Sequence, residues 1–218
     1  MNKQIFFIRT APYTYKIKNH NLYESFNVVA TRKKDISLRR DSSEYFLRNI
    51  PKVVFSIDLV FCSPTKRSIK TAKFITSKPQ VFHELYEVFY SMNNFINEVE
   101  FFDADKKPNV QKARTGFVQG LINNRLQESY GQAIRRVEDI LKILEQVTDG
   151  KVVVVTHGFF LKIIEAYIKD KSIKNNPRRL LKYFDGKKET FKFCEGFVVD
   201  YKNKKFVFDR YIRNRKEV

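Results

Sequence analysis

Three side chains suited to holding an oxyanion stand just beyond three short apolar runs. Arg9 follows Gln4–Ile8, Arg67 lies five positions past Cys62, and His157 follows Lys151–Thr156. A guanidinium fork matches two phosphate oxygens at once, and an imidazole can donate to a third or exchange a proton with it. Gly158 follows His157 and opens an apolar helical pattern, so the backbone donors of a helix start join the set. Any one of these residues alone would read as a surface charge or a structural histidine. Their shared placement at strand ends predicts a phosphate clamp, because ligands of open α/β sheets bind beyond the carboxyl ends of the strands.

The elements that must carry these residues can be read from composition and period. Gln4–Ile8, Ile57–Phe61 and Lys151–Thr156 are β-rich apolar runs, and the last is a β-branched stretch suited to a strand buried on both faces. Thr65–Thr76 carries Ile69, Ala72 and Ile75 at helical spacing. Ser129–Val147 is a stronger helix, with Ser129 and Gln132 in a capping-box pattern and Ile134, Val137, Leu141 and Leu144 as its stripe. Asp149-Gly150 supplies a stop before the next strand. Phe159–Ile168 suits a helix packed on the sheet. Strand and helix alternate, which predicts a three-layer α/β/α fold with an open, mostly parallel sheet. The whole chain, 1–218, reads as a single domain, with a cap-like insertion of helices and loops at about 84–126 over one end of the sheet. The aromatic and polar alternation of Lys192–Phe208 predicts edge strands.

The motifs, taken in order, resemble those of the histidine phosphatase superfamily, which includes the cofactor-dependent phosphoglycerate mutases. Ile8-Arg9-Thr10-Ala11 stands where that family's first strand ends in Arg-His-Gly. Cys62-Ser63-Pro64, Arg67 and Thr71-Ala72 match its second signature, Ser-Ser-Pro followed by Arg and Thr-Ala. Leu85-Tyr86-Glu87 is similar to its Leu-x-Glu segment, Glu128-Ser129 to the Glu-Ser before a long helix, and Thr156-His157-Gly158 to its late Thr-His-Gly. Asp35-Ile-Ser-Leu38 resembles the Asp-x-Pro-Leu turn without its proline. The resemblance implies a phosphoglycerate mutase-like fold. It implies Arg9 and Arg67 as phosphate clamps, His157 as the second histidine, and Glu87 as the proton donor, with Gly158 and position 16 also touching phosphate.

The family's nucleophile, the histidine of Arg-His-Gly, is not carried over, because Thr10 occupies its place. Ala11 replaces the glycine, and Lys16 stands where an asparagine is usual. A hydroxyl is a weak nucleophile at neutral pH without a neighbouring base, and a phosphothreonine ester lacks the lability of phosphohistidine. His20, His83 and His157 are the imidazoles that could substitute. Cys62 fails as a cysteine-phosphatase nucleophile, since its spacing to Arg67 is one residue short of Cys-x5-Arg. Glu84 competes with Glu87 for the role of acid.

The resemblance therefore implies a phosphate-binding protein whose phosphatase activity is weak, altered or lost. A non-catalytic phospho-ligand-binding or regulatory protein is the second reading. The net charge of +18 raises a third, a basic nucleic-acid binder, and half of that excess lies in residues 169–218 (16 Lys+Arg against 7 Asp+Glu). No nucleic-acid motif accompanies the charge. The expected partner is a phosphorylated small molecule or a phosphoprotein, with no cofactor, no metal and no membrane. Two cysteines make no disulfide framework, and Ile5–Ile8 is too short for a secretory core, so a reduced, cytoplasmic protein is expected.

Overall fold

A computed structural model describes residues 3–14, 17–57, 59–103, 105–148, 150–184 and 191–214. In chain order the elements are β1 (Lys3–Arg9), α1 (Leu22–Ala30), α2 (Ser42–Asn49), β2 (Val60–Cys62), α3 (Lys66–Ala72), β3 (Gln80–Val81), α4 (Glu98–Phe101), α5 (Val110–Ile122), α6 (Tyr130–Gln146), β4 (Lys151–Thr156), α7 (Gly158–Lys169), β5 (Gly196–Lys202) and β6 (Lys205–Ile212). They form a six-stranded sheet in the order β3-β2-β4-β1-β5-β6. The β1–β4, β2–β4 and β2–β3 pairs are parallel, and β1–β5 and β5–β6 are antiparallel.

Successive side chains of the central strands enter different cores, as the period of two requires. Ile5, Phe7, Val152, Val154, Phe197 and Val199 pack with Ala133, Ile134 and Val137 of α6 and with Phe160 and Ile164 of α7. Phe6, Ile8, Val153, Val155 and Val198 pack on the other face with Phe46 of α2 and Ala72 of α3. Helices thus cover both faces, and the expected three-layer α/β/α fold is the observed one.

Local signals account for the best-defined elements. The Ser129 side chain accepts from the Gln132 amide and the Gln132 side chain accepts from the Ser129 amide, so the capping box is formed. Ile134, Val137, Leu141 and Leu144 are all buried. At the other end of α6, Lys3 Nζ donates to the carbonyls of Leu144, Glu145 and Val147, satisfying groups that a helix end leaves open.

Two expectations are corrected. The strand read at Ile57–Phe61 begins only at Val60, because Lys52–Ser56 coil into a 3-10 turn behind Pro51 that buries Val54, and Ile57 follows it into the same core. The C-terminal strands are not both edges. β5 lies between β1 and β6 with Gly196–Val199 buried, and of the two only β6 is an edge, most of its residues facing solvent. Asn203 and Lys204, both at positive φ, make the two-residue hairpin between them. The region 84–126 shares a core with α6 and α7 through Leu85, Val88, Phe101, Phe117 and Leu121. Asp149 lies outside the described residues. Among the described residues no helix is long and apolar enough to cross a membrane.

Candidate phosphate-binding site

Parallel pairing of β1 and β4 sets Arg9 opposite Thr156, so the chain leaves both strands side by side. The Thr10 amide donates to Thr156 O at 3.0 Å and the Ser63 amide to Val155 O at 3.1 Å, which extends the ladder past all three strand ends. His157 then caps α7, and Thr65 caps α3 by accepting from the Ser68 amide. The sheet and two helix starts thereby bring Thr10, Ser63, Arg67 and His157 to one place.

His157 is buried, with Nδ1 3.2 Å from Arg67 Nη2 and Nε2 2.8 Å from Ser63 Oγ. A guanidinium only donates, so Nδ1 accepts; the neutral ring carries its hydrogen on Nε2 and donates it to Ser63, a tautomer assigned from this network. Burial holds the imidazole well below its ordinary range, and Arg67, Arg9, Arg136 and Arg32 add to the effect.

Arg67 is buried, with Nη1 3.3 Å from Asp35 Oδ1 and the guanidinium over the Tyr13 ring at 5.0 Å. Its Nε has no hydrogen-bond partner, and neither has Thr10 Oγ1, which is also fully enclosed. Arg9 donates from Nη1 to Phe191 O and lies 4.4 Å over Phe193. A Cβ at Gly158 would sit 3.4 Å from the Arg9 guanidinium, so the glycine lets that group lie against the start of α7.

Glu87 stands at the start of the same helix. Its Oε1 accepts from the amides of Phe160 (2.7 Å) and Val88 (3.1 Å), and Oε2 from Phe159 (3.1 Å). Burial pushes this carboxyl up; the amides and Arg67 pull it back without cancelling the rise. A carboxylate here satisfies open amides of α7 and complements the helix dipole.

The remaining candidates make contacts of their own. His20 Nδ1 bonds to Lys18 O, and exposed His83 packs against Tyr86. Glu84 offers its carbonyl to Arg136. Burial pushes the Cys62 thiol up to about 12, which keeps it protonated and unreactive. Lys16 lies outside the described residues.

The motif residues Ser63 and Asp35 fix the His157 tautomer and hold Arg67. Arg32 and Arg136, which carry no signal in the sequence pattern, arrive from α1's end and from α6. Glu128, matched as a motif residue, forms a bidentate pair with Arg136 (2.7 and 2.9 Å) and accepts from the Phe89 amide. Arg136 in turn donates to Glu84 O and Tyr86 O, so this pair staples the Glu87 segment to α6. With the Glu128 side chain only 9% exposed, Glu128→Ala leaves Arg136 without its counter-charge. A loss of about 2–4 kcal/mol is expected in urea unfolding, with Glu128→Gln between variant and wild type.

The family model described as "Histidine phosphatase superfamily (branch 1)" matches residues 30–185, well over half of the chain. The chain belongs to the histidine phosphatase superfamily. Solved structures of similar fold include mycobacterial glucosyl-3-phosphoglycerate phosphatase (TM-score 0.61, 14% identity, 98% of this chain and 100% of that one). Phosphoserine phosphatase from Entamoeba histolytica is also similar (TM-score 0.59, 12% identity, 96% of each chain). A third is phosphoglycerate mutase from Bacillus anthracis (TM-score 0.58, 14% identity, 96% and 92%). No curated protein sequence matches this histidine phosphatase superfamily member.

Proposed function

We propose that this protein binds the phosphate group of a phosphorylated ligand between Arg9, Arg67 and His157, and that it turns the ester over slowly or not at all. The observation that carries this reading is the pair of orphaned groups, Arg67 Nε and Thr10 Oγ1, enclosed beside a neutral histidine in a cationic site. Buried polar groups without partners are uncommon, and phosphate oxygens would satisfy both.

Thr10 stands in the place that the superfamily gives to its nucleophile. Its hydroxyl has no hydrogen-bond partner, so no base is in reach of its proton. Neither could His157 attack in its place, since Nδ1 accepts from Arg67 and Nε2 faces Ser63. Glu87, the proposed acid, would have to leave the amides of α7 to reach a leaving oxygen. A phosphorylated small molecule or a phosphoprotein fits this reading as ligand, and a regulatory role follows if binding itself is the output.

Inorganic phosphate is expected to raise the melting temperature of the wild type, because it binds the native state alone. Arg67→Ala should remove that rise, and hydrolysis of an aryl phosphate should stay near background in wild type and Thr10→Ala alike. Brisk hydrolysis that Thr10→Ala abolishes would overturn the slow-turnover reading. Stabilisation that survives Arg67→Ala would overturn the site.

A further inference from the structure

The Arg9 guanidinium is held by a turn outside the motifs described above, residues 191–195 ahead of β5. Its Nη1 donates to Phe191 O, and it lies 4.4 Å over the Phe193 ring. The Arg9 backbone is tied to the same turn. Its amide donates to Glu195 O at 2.8 Å, and the Cys194 amide donates to Arg9 O at 3.2 Å. Each end of the turn is anchored by a buried side chain. At the first end, Phe191 packs on Phe197 and Tyr211.

Glu195 anchors the other end. Its Oε2 accepts from the Lys192 amide and from Arg213 Nη1, both at 2.9 Å, and Oε1 accepts from the Asn214 amide at 3.2 Å. The Lys192 bond closes the turn on itself, and the Glu195 amide donates back to Lys192 O at 3.1 Å. The bonds from Arg213 and Asn214 tie the turn to the chain beyond β6, where Arg213 also lies 5.6 Å over the Phe191 ring. Inside the turn Cys194 stands at φ 63, a backbone state that a residue other than glycine keeps only where its surroundings impose it. Removing the Glu195 carboxylate takes an acceptor from the Lys192 and Asn214 amides and an ion-pair partner from Arg213.

We propose that Glu195 is a positioning residue of the anion clamp: it holds the 191–195 turn, and through Phe191 O and the Phe193 ring it aims the Arg9 guanidinium at the phosphate. The inference rests on the phosphate-binding reading above, and it makes a prediction of definite sign. A carboxylate near an anion site opposes binding by Coulomb repulsion, so neutralising it should tighten phosphate. A carboxylate that aims Arg9 does the opposite. Without it, a long side chain is loosened and must be ordered again on binding, so affinity falls.

Calorimetry of orthophosphate binding at low ionic strength tests this. Glu195→Ala should bind about fivefold more weakly than the wild type, where a purely electrostatic role predicts tighter binding. Glu195→Gln carries the same charge as the alanine variant yet keeps an acceptor for the Lys192 amide. It should therefore lie between the two, and it carries the test alone where the alanine variant does not fold. Arg9→Gln should weaken binding about tenfold while Arg67 still holds the anion, and in that background either Glu195 variant should change affinity by less than about twofold. Binding that is unchanged or tighter in the Glu195 variants, or a loss of equal size in both backgrounds, would overturn the positioning role and leave the clamp standing. Binding of no phosphate by the wild type, or binding indifferent to Arg67→Ala, would overturn the phosphate-binding reading and this inference with it.

Discussion

A Thr10→His variant is expected to hydrolyse an aryl phosphate about a hundredfold faster than the wild type, a difference of roughly 2.7 kcal/mol in the barrier. The expectation follows from what already surrounds position 10. Arg67 Nε is without a partner, His157 is neutral, and Arg9 lies against Gly158. An imidazole supplied there attacks phosphorus through a nitrogen lone pair, needs no base to be deprotonated first, and forms a phosphoramidate labile enough for water to open. The enclosed site must admit a larger side chain, and overpacking of this kind costs about 1–3 kcal/mol, so a lower melting temperature should accompany the gain. Adding Arg67→Ala to Thr10→His should return hydrolysis to background. A folded, phosphate-binding Thr10→His protein that stays at background would show that position 10 alone does not limit turnover and would turn attention to Ala11 and Lys16.

Stability should fall as pH drops below about 6.5, with His157 contributing up to about 1.4 kcal/mol per pH unit. In the unfolded chain this imidazole takes up a proton near pH 6.5, whereas burial among arginines keeps the folded one neutral to much lower pH. The unfolded state therefore binds more protons across this window, and acid favours it. The contribution is whole above pH 6.5 and is lost progressively below it until the folded ring also titrates. Glu87 acts in the opposite sense, since its carboxyl is raised by burial and its protonation relieves the folded state. His157→Gln isolates the histidine's part: its denaturation profile between about pH 6.5 and 4.5 should be flatter than that of the wild type. An equal slope in both would remove His157 as the cause. A bound dianion raises the imidazole's proton affinity, so the melting-temperature rise given by sulfate, whose charge is constant here, should grow as pH falls.

The reach of the sequence differs between scaffold and site for physical reasons. Lys151–Thr156 reads correctly because a β-branched run buried on both faces has few alternatives, and Ser129 with Gln132 because a capping box is a local structure. Ile57–Phe61 has a similar composition, but Pro51 and the burial of Val54 draw its approach into a 3-10 turn, a choice made by packing. Arg9 and His157 are visible because they close or directly follow strands, and Arg67 because it lies at a fixed offset in the motif that follows β2. Arg32, Phe191 and Phe193 are not, because each comes from a connection whose path depends on the finished sheet. Glu128 shows the remaining case. Its motif is plain in the sequence, while its partner Arg136 and its task of tethering the Glu87 segment emerge only in three dimensions.

The placement of β1 has a consequence for how the molecule is made. This strand comes first among the six in chain order, yet its neighbours in the sheet begin at Lys151 and Gly196. Phe6 and Phe7, each wholly buried at the end, must wait for Lys151–Thr156 before one side of their strand is covered and for Gly196–Lys202 before the other is. Such distant pairing slows folding and leaves an apolar edge open to wrong partners in the meantime. Arg9 and Thr10 are fixed only when residues 191–196 arrive, through the Phe191 carbonyl and the backbone of Cys194 and Glu195. The candidate site therefore joins residues near position 10 to residues near position 195, and a chain cut before Phe191 should carry Arg9 and Thr10 without the contacts that hold them.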